Sequence, residues 1–230
     1  MKPTVQGKLD IVPTISVRDG EVVIVRQMKY ESLEDEDGKT LDPVLFVEQV
    51  LKQYPRVLLV DLNGIESNRP QVELIQAVSG AGEVWVDPGI RYAESAIDIL
   101  VAGAAGVVLG TKTVAGVDQL AAAVELSDCV FLGIDYKDGV VAEDEQLKHM
   151  SPKSVLEIGR NLKFPRLFFN DLDRSSRKKP LEADIIRELA AGPLEVYVGG
   201  GVTEHDVPQL TELRVRGALL SVLSIVTEAG

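Results

Sequence analysis

The chain has 230 residues, 45% of them apolar and 26% charged, and carries a net charge of −12. That length suits one sizeable domain or two small ones, and the acidity argues against phosphate-rich partners such as nucleic acid or an anionic membrane surface. One cysteine and two histidines leave no internal disulfide and too few ligands for zinc, so no metal or cofactor is expected and a reducing, cytoplasmic setting fits.

The opening MKPTVQGKLD lacks the apolar core of a signal peptide, and no apolar run reaches the roughly 18 residues of a membrane span. Beyond it, strand-length apolar runs alternate with amphipathic segments. LDIVPTISV (9–17) comes first, then the acidic ESLEDEDG (31–38). That run is expected to be a solvated flap, with a carboxylate metal site at Glu34, Asp35 and Asp37 as the lesser reading. DPVLFVEQVLKQY follows as a helix opened by Asp42 ahead of Pro43. RVLLVDL (56–62) leads to QVELIQAVS, EVWVD (83–87) to ESAIDILVAG, and GVVLGT (106–111) to VDQLAAAVEL. CVFLGID (129–135) precedes SPKSVLEIGRNL, which Ser151 opens ahead of Pro152. RLFFNDL (166–172) precedes EADIIREL, EVYVGG (195–200) precedes EHDVPQLTEL, and GALLSVL (217–223) closes the series. Cys129 and Trp85 fall in strands and are expected in the core. Strands apolar on both faces and separated by helices imply a parallel sheet. Eight such units predict an α/β fold, a (β/α)8 TIM barrel forming a single domain over residues 1–230. An open doubly wound sheet is the alternative.

The chain also repeats itself. RVLLVDLNGIESNRP (56–70) aligns on RLFFNDLDRSSRKKP (166–180) at an offset of 110, and EVWVDPGI (83–90) on EVYVGGGV (195–202) at 112. AGVVLG (105–110) aligns on RGALLS (216–221) at 111, and TISVRDGEVV on GIDYKDGVV at 119. Four ordered matches point to two duplicated half-barrels. The last alignment sets Ser16 against Asp135.

In such a barrel the functional residues stand at the carboxyl ends of the strands. Asp135 ends an apolar strand there, and a partly desolvated carboxylate suits general acid–base work. Asp61 and Asp171 are twins, for which a shared structural role weighs about equally. Gly89, and Gly110 with Thr111, have the make-up of a phosphate cradle, matched by the glycines at 199–201; shaping tight turns is the plainer reading.

The order and spacing of IVPTISVRDGEVVIVR, DPVLFVEQVL, LLVDLNGIESN, VDPGIR, GVVLGTKTV, FLGIDYKDG, FFNDLDRSS and YVGGGVTEHDVPQL resemble the barrel enzymes of histidine biosynthesis. These are the phosphoribosylformimino-aminoimidazole-carboxamide ribotide isomerase and its sister, the cyclase subunit of imidazole-glycerol-phosphate synthase. VDPGIR is similar to an archaeal isomerase-related branch, since the isomerase usually has a further glycine there. The resemblance implies an aminoaldose-to-aminoketose rearrangement. One carboxylic acid would protonate the ribose ring oxygen, and one carboxylate would take the proton from the adjacent carbon. It places these groups at the ends of the first and fifth strands, here Ser16 and Asp135. Asp171, which ends the sixth strand, is by that position a further candidate catalytic residue. It also implies phosphate contacts at Gly89, Gly110 and Thr111 at one end of the substrate, and at Gly200, Gly201 and Ser221 or Ser224 at the other.

Three positions depart from that pattern. The first-strand carboxylate is Ser16. Asp-Arg-Asp-Gly-Thr after the sixth strand is here DRSSR (173–177), and the small turn after the eighth is Ser221-Val222. Arg174, Arg177, Lys178 and Lys179 could compensate as anion ligands, or form a solvated loop. The expectation is a barrel acting on a small phosphorylated metabolite with chemistry altered at Ser16. The alternative is a non-catalytic phosphate-ligand-binding or partner subunit. The sequence leaves the oligomeric state unassigned.

Overall fold

The computed structural model describes residues 8–26, 29–177 and 179–222. Lys178 and Ser224 lie outside the described residues. The strands are β1 (Asp10–Arg18), β2 (Glu21–Arg26), β3 (Lys29–Ser32), β4 (Arg56–Asp61), β5 (Glu83–Asp87), β6 (Gly106–Gly110), β7 (Val130–Tyr136), β8 (Arg166–Asp171), β9 (Glu195–Val202) and β10 (Gly217–Ser221). β1 and β4 to β10 pair in parallel in chain order, and β10 returns to β1 with Asp10 opposite Gly217 and Thr14 opposite Ser221. The parallel sheet is thus a closed barrel and not an open doubly wound sheet. Helices Pro43–Leu51, Val72–Ser79, Ala93–Val101, Val117–Leu126, Pro152–Leu162, Ala183–Ala190 and Val207–Glu212, seven among the described residues, cover its outside in the arrangement of a (β/α)8 TIM barrel.

Local chemistry starts these helices where the sequence suggests. The Asp42 carboxylate accepts from the N–H groups of Val44 and Leu45 at 2.9 and 3.0 Å, and Ser151 Oγ accepts from Ser154 N at 3.1 Å. Each caps donors that have no partner inside the helix.

Two expectations need correction. Residues after β1 are not all loop: β2 turns back antiparallel on β1, Ser16 opposite Val23, and β3 pairs with β2, so Glu31 and Ser32 of the acidic run are strand. Asp35 in the remainder accepts from the N–H groups of Asp37 and Lys39, as a turn does. Cys129 is exposed, because the strand begins one residue later at Val130. Trp85 is buried as expected.

One core lies between barrel and helices; the other fills the bore. The inner one holds one residue from each barrel strand: Val12, Leu58, Trp85, Val108, Phe131, Phe168, Tyr197 and Leu219. These are four twin pairs, Val12 with Phe131, Leu58 with Phe168, Trp85 with Tyr197 and Val108 with Leu219, at the offsets of the sequence repeat. The duplication is therefore built into the bore. Below it, Arg56 pairs with Glu83 at 3.0 Å and its twin Arg166 with Glu195 at 3.1 Å. Both guanidiniums lie over the Trp85 ring, at 5.0 and 5.1 Å, and close the bottom of the barrel.

Candidate active site

Above Leu58, Val108, Phe168 and Leu219 a cavity of about 1020 Å³ opens at the carboxyl ends of the strands. Side chains alternate along a strand, so the next inward positions are two residues further on. On β1, β5, β7 and β9 they are Thr14, Asp87, Gly133 and Gly199; on β4, β6, β8 and β10 they are Val60, Gly110, Asn170 and Ser221. A barrel that packs its bore solid needs a further layer of bulky branched residues at this height. Here only Val60 is branched and apolar; the other seven are glycines and small polar groups, and the bore stays open.

Asp135 is only 8% exposed and lines this cavity. Its Oδ2 accepts from the Lys112 N–H and its Oδ1 from the Asn170 amide, each at 3.3 Å. Burial pushes its pKa above the ordinary carboxylate range, against those two hydrogen bonds and the Lys112 charge. Ser16 lines the cavity too, so the first-strand twin of Asp135 faces the same space with a hydroxyl.

The twins Asp61 and Asp171 have diverged. Asp61 is fully buried and saturated: Asn63 N, Gly64 N, Gln71 N and Gln71 Nε2 all donate to it. It is a structural cap of helix Leu62–Ser67. Asp171 accepts from Asp173 N through Oδ1, while its buried Oδ2 has no partner among the described residues and the residue borders the cavity.

The candidate phosphate residues do not gather as a set. Gly110, Gly200, Gly201 and Ser221 line the cavity; Gly89 and Thr111 do not. Thr111 is the odd-numbered step between two inward residues, so it faces away from the bore. Its N–H donates to Gly133 O at 2.9 Å, and its hydroxyl accepts from Asp135 N at 3.0 Å. The inward residues on either side of it are Gly110 and Lys112. Gly89 is buried with φ +67°, and a Cβ there would sit 2.5 Å from Ile65 Cα, so its glycine is required by close packing. Gly200, at φ +81°, is required in the same way by the Asp171 carbonyl, 2.1 Å from its ideal Cβ.

The described cations of the loop after β8 are already paired. Arg174 binds Asp206 at 2.6 Å and the Gly201 carbonyl; Arg177 binds Asp173 at 3.0 Å and Asp138 at 3.2 Å; Lys179 binds Asp138 at 2.7 Å. Opposite them the β2–β3 hairpin leans over the mouth, with Val23, Ile24 and Tyr30 in the cavity wall. The Tyr30 hydroxyl donates to Glu66 Oε1 at 2.7 Å, and Arg18 lies over its ring.

Three inward residues escaped the sequence reading as site members: Asp87, Lys112 and Asn170. Strand alternation is the signal that finds them, counted from Trp85, Val108 and Phe168 of the inner core. Asp87 Oδ1 accepts from Gly89 N at 3.2 Å. Burial first and the Asp135 charge second push its carboxyl up to about 7, opposed by the Gly89 N–H and Lys112. No cluster of His, Cys, Asp or Glu able to hold a metal ion occurs among the described residues, and none of the described helices is long and apolar enough to cross a membrane.

Residues 10–220 match the family described as histidine biosynthesis protein. The chain is similar to proteins named 1-(5-phosphoribosyl)-5-((5-phosphoribosylamino)methylideneamino)imidazole-4-carboxamide isomerase. It is 32% identical to that of Moorella thermoacetica, covering 93% of this chain and 90% of the relative. It is 31% identical to that of Pelotomaculum thermopropionicum, over 96% and 87%, and 28% to that of Chloroflexus aurantiacus, over 92% and 90%.

Proposed function

The chain belongs to the histidine biosynthesis protein family, and we propose from that premise that it is an isomerase-type barrel. In this reading it moves protons on a phosphorylated, sugar-type metabolite, as the name of its relatives describes. The observation that carries the reading is Asp135: a buried carboxylate on the wall of a cavity large enough for an extended ligand. Ligand pockets commonly span roughly 300–1,000 Å³. In the rearrangement of an aminoaldose, an acid gives its proton to the ring oxygen as the C1–O bond breaks and nitrogen takes up the C1 double bond. A carboxylate then removes the C2 proton, and the resulting enolamine takes up a proton at C1 while its C2 hydroxyl gives one up and C2 becomes a carbonyl. Atoms balance without a co-reactant, and two proton-transfer groups suffice.

Support for a doubly anionic substrate comes from the opposed walls. Gly110, Lys112 and Thr113 lie across the bore from Gly200, Gly201 and Ser221. The second group of contacts is sparse, and we infer altered chemistry or substrate at that end, together with the loss of a carboxylate at Ser16. The single thiol and the metabolite substrate fit a cytoplasmic enzyme. The rival reading, a subunit that binds such a ligand without turning it over, is favoured by the hydroxyl at Ser16.

Purified protein is to be incubated with the ribotide named above and the ketose product followed. Turnover is expected, with a loss of about 10²- to 10⁴-fold in kcat on Asp135→Asn. Ribotide binding by calorimetry without turnover in either protein would establish the binder instead.

A further inference from the structure

We propose that Asp87, at the end of the third barrel strand, is the second proton-transfer carboxylate of this site and works with Asp135 in place of the carboxylate absent at Ser16. The inference rests on the isomerase-type reading above and goes beyond it by naming the partner group and its position.

The geometry carries it. Asp87 is the one charged residue among the eight inward positions directly above the apolar floor. Its neighbours at that height include Gly110, Gly133 and Gly199, which have no side chain to separate it from the bore. The same half-barrel comparison that sets Ser16 against Asp135 sets Asp87 against Gly199. One half has given up a carboxylate at the first strand and holds an extra one at the third. A structural duty explains Asp61, with its four donors, but not Asp87, whose one hydrogen bond among the described residues is from Gly89 N at 3.2 Å. Ligand-facing polarity continues beside it: Thr14 Oγ1, in the same layer, is buried with no partner among the described residues.

The surroundings divide the labour. Charged groups facing Asp87 are Asp135 from β7, Lys112 after β6 and, more weakly, Asp61 at the end of β4; β1 presents only Thr14 and Ser16. Asp135 accepts from two donors and Asp87 from one. The better-solvated anion is Asp135, so the proton the pair retains near neutrality rests on Asp87. Asp87 is then the acid that protonates the ring oxygen, and Asp135 the base that takes the C2 proton. Asp135 stands two residues beyond Gly133, the inward residue of β7 in the layer of Asp87, and strands rise about 3.3 Å per residue, so Asp87 lies about 6.6 Å deeper than Asp135 along the strands. The sugar ring must therefore reach further into the bore than a pair at the ends of the first and fifth strands would require.

Asp87→Asn is the informative variant, since its amide oxygen can still cap Gly89 N. The ribotide is to be offered to wild type and to Asp87→Asn over pH 5–9, with kcat and KM separated. In parallel, carboxyl ¹³C NMR on aspartate-labelled wild type, Asp87→Asn and Asp135→Asn follows the ionisations without any ligand. Expected are a fall of about 10²- to 10⁴-fold in kcat with KM within about threefold, and loss of the near-neutral limb of the pH profile. Also expected is a near-neutral carboxyl signal that is absent from Asp87→Asn and moves down in Asp135→Asn. An active wild type whose Asp87→Asn variant keeps kcat within about threefold overturns the proposal and leaves the isomerase reading standing. If the wild type does not convert the ribotide, the isomerase reading fails on that substrate and the titration decides: a coupled pair near neutrality sustains the proton-transfer assignment, and an Asp87 that titrates in the ordinary carboxylate range, indifferent to Asp135, removes it.

Discussion

At Asp87 the fold holds a carboxyl whose ionisation it opposes, from an ordinary 3.8 up to about 7. The folded protein therefore binds more protons than the unfolded chain between those two values, and stability falls as pH rises through that window. Below 3.8 both states are protonated and nothing is lost; above 7 the full penalty applies. Each pKa unit corresponds to about 1.4 kcal/mol, which bounds the penalty at about 4 kcal/mol. Asp87→Asn removes the ionisation but keeps the cap on Gly89. Urea melts should find it more stable than wild type at pH 8, by roughly 2–4 kcal/mol, with the gain vanishing toward pH 4. A gain that grows as pH falls would contradict the sign. A stabilising loss of a site carboxylate is the pattern of a residue kept for activity. This residue was legible in the sequence as a strand end but not as a site member, because glycine-rich composition drew attention to its neighbours Pro88 and Gly89. Thr111 is the converse case: its type suits phosphate, while the period of two turns its side chain away from the bore and brings Lys112 in.

Among elements, the barrel strands were legible because both their faces are buried, which yields uninterrupted apolar runs. The β1–β2 hairpin was not, although its signal stood in TISVRDGEVV. Asp19 and Gly20 both have positive φ, 50° and 81°, as a two-residue turn joining antiparallel strands requires. Its twin Asp138-Gly139 closes only the bridge from Tyr136 to Val140, since no alternating run follows it. A second element contact positions Asp87. Helix Leu62–Ser67 and the turn after β5 meet so closely that a Cβ on Gly64 would lie 2.1 Å from the Pro88 carbonyl oxygen. Arg91 ties the same two segments by donating to the carbonyls of Gly64, Ile65 and Gly89. Backbone cannot yield as a flexible side chain does, so Gly64→Ala should destabilise by about 1–3 kcal/mol and lower kcat by displacing Asp87. Gly139→Ala is the control, with nothing within 4 Å of its Cβ, and should leave the melting temperature nearly unchanged. Equal effects of the two on thermal melts would show that the close approach carries no weight.

Across the whole molecule the two halves share a pattern but close the bottom of the bore differently. Gly106 and Gly217 are twins, and each leaves a notch for an aromatic ring. The Phe131 ring, from the following strand β7, comes within 2.2 Å of the ideal Cβ of Gly106. At Gly217 the ring is Tyr197, from the preceding strand β9, at 2.5 Å, and the Asp10 carbonyl stands at 2.7 Å. Tyr197 fills its notch from one side, and Val12, on the strand beyond the closure, is small where its twin Phe131 is large. Gly106→Ala and Gly217→Ala should each destabilise by about 1–3 kcal/mol through overpacking. Trimming the ring then separates the two. Phe131→Leu should relieve Gly106→Ala, with a coupling of about 1 kcal/mol or more in a double-mutant cycle read by denaturant melts. Tyr197→Leu should relieve Gly217→Ala only in part, because the Asp10 backbone still blocks the Cβ. The crossed pairs, Gly106→Ala with Tyr197→Leu and Gly217→Ala with Phe131→Leu, share no close contact and should add. Coupling in the crossed pairs equal to that in the direct ones would mean that the bore responds as one body, and that the duplication no longer divides its packing.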